Sequence, residues 1–541
     1  MHTLTVSAPA ALGLRRTTSV LIVGGGLVGT TAALLLQQQA VPFILLEKSR
    51  LPSLYPRAGG VSPRTMEIFR SIGIEDEVRL AAQTAFKPGS FGGARRGASL
   101  LESRSIVNQA DAIKNRMGQM DPSPCGFAGL PQTLLDPLLQ EALHKRGGHV
   151  ETGMEVVALR NADDGDGVEV VVRDGDGAES LVAASFLIGA DGGRSFVRRA
   201  LAVSSTTVDT TPPKPVTHYA NLFFRADLAD SMAERPFTQC AIEGAVKGLF
   251  LTVNNANQWS FHYEYNPTLE SPLDFSDAKC VEIVRAAIGC GLTVEIEMLA
   301  PPSLWTTAAK VADRFRSGRI FLAGDAAHRY PPFGGMGGNT GVADVHNLCW
   351  KLAAALRNNQ SSASSDLLDT YEKERRPVAL RCAYQSLLRS DFSARFGIRT
   401  PANSRDVDAQ IDINAALTRY RYAEPADVVD TLQCQVGTRF PHAWITLGKA
   451  GERASTLDLV DGTAGCVLIG PGGMTSRAWA VDGQKVYVTG LGFWVEEEED
   501  GVDRKTREEM HSRWWAKVTG GLSDSGAVVV RPDGHVEARL E

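Results

Sequence analysis

The 541-residue chain is long enough for about two to four domains, and its 43% hydrophobic and 22% charged residues are the balance of an ordinary globular protein. A formal net charge of -6, a pI near 6.0 and no dense basic stripe exclude nucleic acid as the expected partner. Eight scattered cysteines with no CxxC pair suit neither zinc nor a disulfide framework, so reduced thiols in a cytoplasmic protein are expected.

The opening residues lack a basic start and a long apolar run, so no signal peptide is expected, and no stretch approaches the length of a membrane span. Ser19 to Val23 reads as a strand, after which Gly24, Gly26 and Gly29 give the GxGxxG spacing as the chain turns into a helix from Thr30 to Gln39. A second strand, Phe43 to Leu46, ends in Glu47. In that order the glycines admit a pyrophosphate to a helix amino terminus and the carboxylate takes ribose hydroxyls. Glu47 disfavours a 2′-phosphate on that ribose, so the bound nucleotide is expected to be FAD or NAD.

Further on, Arg57 precedes a small-residue loop and is placed to reach a pyrophosphate or a flavin, the alternative being a solvated arginine; Arg64 with Glu67 reads as a helix-surface pair. Lys87 to Pro124, rich in Gly, Ser and Arg, shows no sustained period and predicts a long excursion or loop. Gln132 stands near the start of the next helix, as a cap or a cofactor contact. The DDGDG and DGDG steps after Glu155 are hairpin-turn chemistry and lack the glutamate of a calcium loop, so no metal is expected. Phe186 to Ala190 is an apolar strand with Asp191 at its end.

Alternating runs between Val203 and Leu304 predict an antiparallel sheet inserted into the nucleotide domain. In one of its strands Trp259, Phe261, Tyr263 and Tyr265 share a face, either core or the roof over a planar substrate, and Ser260, His262 and Glu264 share the other. Arg319 to Leu352 then carries a short strand, Gly324 and Asp325 at its carboxyl end, Pro331 and Pro332, and four glycines among the five residues Gly334 to Gly338. A helix is predicted from Gly341, so that its amino end and a bare backbone face a ligand with hydroxyls and a region that becomes negative, as in a reduced flavin. After a polar linker at FGIRTPANSRDVDAQ, strand-like runs from about Gly437 predict a third unit, and EEEED at Glu496 to Asp500 reads as a solvated loop.

VGGGLVG with Glu47, GADGGRSFVRRAL, AGDAAHRYPPFGGMGGNTGVADVHNLCWKL, YPRAGGVSPRTMEIFR, LPQTLLDPLL, PHAWITL and VVVRPDGHV together resemble the class A flavoprotein monooxygenases of the para-hydroxybenzoate hydroxylase fold, in particular those with a carboxyl-terminal thioredoxin-like domain. The resemblance implies an α/β fold: a Rossmann-like FAD domain of the glutathione-reductase type (1–202 and 311–400), the β-rich substrate insert (203–310), and a linker with the thioredoxin-like domain (401–541). It also implies that Gly24, Gly26, Gly29, Glu47, Arg57, Gln132, Gly324 and Asp325 hold non-covalent FAD. Pro332, Gly335, Gly337, Gly338 and Asn339 would lie at the isoalloxazine, and Asp191 in a segment shared with the nicotinamide coenzyme. Met336 takes a place often filled by glutamine, and a final domain without CxxC would be structural or oligomeric, a homodimer being one such assembly.

The activity implied is single-component monooxygenation. NAD(P)H, docking transiently, reduces the flavin, dioxygen adds to give a flavin hydroperoxide, and its distal oxygen passes to a phenol or polycyclic aromatic, a polyketide in secondary metabolism being one such substrate. A phenol needs its proton drawn away as oxygen arrives, and His262 or Tyr263 is the expected group. The alternatives are a Baeyer-Villiger or epoxidising oxygenase on the same fold and a non-catalytic flavin-binding redox protein.

Overall fold

The computed structural model describes residues 15–55, 59–85, 92–108, 111, 123–161, 167–289, 294–358, 362–422, 427–447, 452–472, 485–488, 493–495 and 504–541. Arg57 and the EEEED run lie outside the described residues.

Strand β1 (Arg15–Val23) leads into helix α1 (Leu27–Gln38) and strand β2 (Phe43–Glu47). Helix α2 (Pro63–Ser71), helix α3 (Gln132–Lys145) and strand β3 (Glu179–Gly189) follow. β1 is parallel to β2 on one side and to β3 on the other, so its inner half is covered on both faces and reads as unbroken apolar sequence. The DGDG step is the turn of the hairpin that feeds β3, with Asp174 Oδ1 accepting the N–H groups of Asp176 and Ala178 at 2.9 Å each.

The insert is built on strands β4 (His218–Arg225), β5 (Gln239–Glu243), β6 (Lys247–Thr252) and β7 (Gln258–Tyr265), with helix α4 (Asp277–Ile288) and strand β8 (Ser303–Thr306). β4, β7, β6 and β5 are antiparallel neighbours in that order, and β8 lies beside β4. The segment expected to be an excursion supplies two more strands of this sheet. Ala94–Gly97 runs parallel to β5, and Arg104–Val107 pairs with it at the edge. Trp259, Phe261 and Tyr265 pack with Phe275, Cys280, Ile283 and Val284, so α4 covers the aromatic face and makes it core.

Strand β9 (Ile320–Leu322) returns to the nucleotide domain parallel to β3, and helices α5 (Met336–Arg357) and α6 (Ser362–Leu387) complete it. α5 begins five residues before the expected Gly341, because left-handed Gly335 (φ 66°) turns the chain directly into the helix. The glycines that mask the helix in sequence therefore form its first turn, whose N–H groups have no intrahelical partners.

Near the carboxyl end a mixed sheet runs in the order Lys485–Val488, Cys466–Ile469, Ala527–Val530, Val536–Leu540, the first pair parallel and the rest antiparallel. This unit docks through buried charge. Arg64 and Glu67, read from sequence as a surface pair, are buried. Glu67 accepts from Arg64 at 3.0 Å, Arg439 at 2.8 Å and Ser123 at 2.7 Å. Among the described residues no helix is long and apolar enough to cross a membrane.

Candidate active site

Four parallel strands end level with one another: Val23 of β1 pairs with Leu46 of β2 and Gly189 of β3, and Gly189 pairs with Leu322 of β9. Their carboxyl ends carry the Gly24–Gly26 loop, Glu47, Asp191 and the Gly324–Asp325 turn, so separated sequence motifs meet along one edge, where open α/β sheets place ligands.

The glycines of the first loop divide by role. A Cβ on Gly29 would lie 1.8 Å from the Gly24 carbonyl oxygen, and one on Gly24 would lie 2.4 Å from that of Ala190, so both are packing positions. Gly26 caps α1 with no side-chain bond, and no described atom lies within 4 Å of a Cβ built there. That opening, at a helix amino terminus, is the shape a pyrophosphate needs. Beside it Glu47 accepts the N–H groups of Gly25 and Ser49 at 2.8 Å each, which fixes the carboxylate and leaves further lone pairs for ribose hydroxyls. Asp191 accepts from the Val197 N–H at 3.1 Å through one oxygen, and the other is buried with no hydrogen-bond partner among the described residues.

Val28 of α1 packs on both Gly324 and Gly341, which lets α1 and α5 approach closely. Space remains at the start of α5: nothing described lies within 4 Å of a Cβ on Gly335, and only Tyr330 Cε2, at 3.9 Å, is near one on Gly337. Gly338 is tighter, meeting Leu27 at 3.0 Å. Asn339 bridges the opening and α2: its Oδ1 accepts the Ser62 N–H at 2.9 Å and the Thr65 hydroxyl at 2.7 Å, and its Nδ2 donates to the Gly335 carbonyl at 2.7 Å. Pro332 and Asp325 are exposed. An open glycine at each of two helix amino termini, with a buried unpaired carboxylate oxygen at Asp191, fits FAD.

Gln132 opens α3 without capping it, and its amide donates to Asp136 at 3.0 Å. The α3 residue that reaches the glycine loop is Gln140, which donates to the Gly25 carbonyl at 3.2 Å. Sequence reasoning missed it, although Gln132, Asp136 and Gln140 form a half-buried polar stripe running beside buried Leu135, Leu139 and Leu143. Also missed was Asp344, fully buried in α5. It accepts from the Gly324 N–H at 3.1 Å and from Arg375 Nε at 2.9 Å, and pairs with His328 Nε2 at 2.7 Å. Burial works against its charge, but His328 and Arg375 hold its carboxyl below the usual range.

The polar face of the insert sheet turns toward the start of α5. Register places Phe223, Ser260, Leu251 and Gln239 in one row, and Asn221, His262, Leu249 and Ala241 in the next. Trp305 donates to His262 Nδ1 at 3.1 Å, stacks on Tyr219 with centroids 4.6 Å apart, and meets Phe333, two residues before Gly335, edge-on at 6.3 Å. Arg395 lies 3.7 Å from the Phe333 ring centroid and donates to Gln239 at 3.1 Å. Burial, with Arg395 adding to it, pushes the His262 pKa down to about 4, and burial pulls that of Arg395 down to about 10. His262 is thus neutral at pH 7, with Nδ1 engaged and its proton on Nε2. Tyr263 is not brought to this face. Its hydroxyl donates to Glu270 at 3.1 Å, and burial and that carboxylate push its pKa up to about 12.

The family model described as FAD binding domain matches residues 17–386. The chain is 34% identical over 531 residues to a tetracenomycin A2 monooxygenase-dioxygenase of Streptomyces glaucescens, covering 92% of this chain and 89% of that one. This chain belongs to the FAD-dependent aromatic hydroxylases. To another such hydroxylase, a 4-methyl-5-nitrocatechol 5-monooxygenase of Burkholderia sp, it is 33% identical over 533 residues, 91% of this chain and 89% of the relative. A crystal structure of aklavinone-11 hydroxylase in ternary complex with FAD and aklavinone superposes with a TM-score of 0.81 at 31% identity, over 97% of this chain and 95% of that one. As an FAD-dependent aromatic hydroxylase, the chain presents an open edge at the strand ends of the nucleotide sheet and a separate polar face on the insert.

Proposed function

We propose that this chain hydroxylates a phenolic or polycyclic aromatic substrate, polyketide aromatics included, held between the polar face of the insert sheet and the start of α5. The supporting observation is the bridge His262–Trp305–Phe333, which ties that face to the open glycines of α5. Relatives of the chain named for tetracenomycin A2 and for 4-methyl-5-nitrocatechol act on ring systems of very different size, which is why the substrate class stays broad.

FAD, when bound, supplies the oxygen transfer, with NADPH or NADH as reductant and dioxygen as co-substrate. Of the residues proposed to hold it, Gly26, Glu47, Arg57, Gln132, Asp191, Gly324 and Asp325 would face it, Gly24 and Gly29 would shape the loop by letting the backbone pack closely, and Pro332 and Gly335 to Asn339 would lie alongside the ring. The first turn of α5 directs its N–H groups at the place where negative charge gathers on reduction. His262 is proposed as a hydrogen-bond donor through Nε2, since its acceptor nitrogen is already used by Trp305. Arg395, buried and held by the carbonyls of Arg389 and Ser390 and by Gln239, is a cation that favours an anionic substrate oxygen, so the phenol loses its proton more readily. The carboxyl-terminal unit is proposed as a thioredoxin-like domain without redox chemistry, which its mixed four-stranded sheet and buried Cys434 and Cys466 support.

The test is a panel of phenols and polyketide aromatics added to FAD-loaded protein. Stimulated NAD(P)H oxidation with a product heavier by a single oxygen is expected. Oxidation that no aromatic ligand raises would overturn the proposal.

A further inference from the structure

Arg375 lies on α6, behind the glycine-rich start of α5, and it joins two parts of the molecule. On one side its Nε donates to Asp344 at 2.9 Å and its Nη2 to the Thr340 carbonyl at 3.3 Å. Asp344 in turn accepts the N–H of Gly324, whose left-handed turn (φ 58°) presents Asp325. On the other side Arg375 lies over the Tyr420 ring at 5.2 Å, and its Nη1 donates to the Tyr422 hydroxyl at 3.4 Å. Tyr422 stacks on His535 at 4.5 Å, in the hairpin of the carboxyl-terminal unit whose Asp533 carbonyl accepts from Arg64 at 3.0 Å. Arg531 of the same hairpin donates to Glu374, the residue preceding Arg375, at 2.6 Å.

A buried ion pair kept only for stability is replaceable by apolar packing. Here the carboxylate has a further task, because Gly324 N–H, His328 and Arg375 all converge on it. We propose that Arg375 is a positioning residue through which the carboxyl-terminal hairpin fixes the Gly324–Asp325 turn against FAD. The relay runs His535, Tyr422, Arg375, Asp344, Gly324. It rests on the reading of that turn as part of the FAD site.

The experiment uses the full chain as wild type, Arg375→Met, Arg375→Lys and Tyr422→Phe. After removal and re-addition of FAD, its dissociation constant, the midpoint potential of the bound flavin and the melting temperature of the apoprotein are measured. Arg375→Met is expected to weaken FAD about ten-fold or more, the loss of a charge-assisted hydrogen bond. It should also lower the potential, because Asp344 keeps its charge without its cation and disfavours an anionic reduced ring. Arg375→Lys should restore the potential but only part of the affinity, and Tyr422→Phe should weaken FAD in the same direction by less.

Unchanged FAD affinity and potential in Arg375→Met and Tyr422→Phe, even with a lower melting temperature, would overturn the relay. If Arg375→Met yields no folded protein, unchanged values in Arg375→Lys and Tyr422→Phe overturn it equally. A wild type that takes up no FAD would overturn the reading of the turn itself, whereas a wild type that binds FAD beside insensitive variants overturns the relay alone.

Discussion

Trp305 donates its indole N–H to His262 Nδ1 at 3.1 Å, and this contact decides what the histidine is able to do. A ring whose acceptor nitrogen is occupied and whose proton sits on Nε2 is a donor and a poor base. Its pKa of about 4 removes it from titration near neutrality. The pH profile of turnover is therefore expected to show no limb that disappears in His262→Gln, while the variant raises the KM for substrate. A limb between pH 6 and 7 that vanishes in the variant would restore the role of base.

Gly26 and Gly29 separate cofactor space from packing space. Gly26→Ala places a methyl in the opening at a φ of -80°, which any residue adopts. The apoprotein should keep its stability to within about 0.5 kcal/mol, and FAD binding should weaken. Gly29→Ala meets the Gly24 carbonyl at 1.8 Å and should fail to give folded protein. Thermal melting with and without FAD checks both.

Arg395 gives a prediction readable on the ligand. The pKa of a bound phenol, followed by its absorbance, should rise by about one unit or more in Arg395→Met, because a nearby cation favours the phenolate. An unchanged ligand pKa would remove Arg395 from the substrate's surroundings.

Glu374 carries the docking of the carboxyl-terminal unit. Burial by itself would raise its pKa, but Arg531 and Lys351 hold it down to about 2. A carboxyl lowered from 4.5 contributes stability that is present above that value and is lost as pH falls toward 2. The buried histidines His262 and His535, each lowered from 6.5 to about 4 chiefly by burial, withdraw stability over that higher window as they are forced to protonate. Melting temperature should thus decline first below about pH 6.5 and again below 4.5. Glu374→Gln should cost about 3 kcal/mol at pH 7 by leaving buried Lys351 without its carboxylate and Arg531 with Asp533 alone.

Much of the strand-end edge proposed to hold FAD was legible because its signals are local. The glycine fingerprint, Glu47, Asp191 and Asp325 each stand at the end of an apolar run, and the level register of Val23, Gly189 and Leu322 brings those ends together. What sequence hid is relational. Glycines at the start of α5 lower helix propensity just where the helix begins. The strands at Ala94–Gly97 and Arg104–Val107 lie at a sheet edge and acquire their pairing only from β5, distant in the chain. Arg64 and Glu67 have the spacing of a surface pair, and only the docked Arg439 and Asp533 show them buried. Asp344, Asn347 and Lys351 repeat along α5 at helical spacing among apolar neighbours, a stripe that does signal a buried polar seam, though not which partners fill it.

The most direct test of the account supplies FAD-loaded protein with NAD(P)H, a phenolic substrate found by the panel, and isotopically heavy dioxygen. The account predicts a hydroxylated product carrying a single heavy oxygen atom on the ring, with NAD(P)H consumed in proportion. A product whose added oxygen comes from water, or an oxygen inserted into a carbon–carbon bond beside a carbonyl, would contradict it.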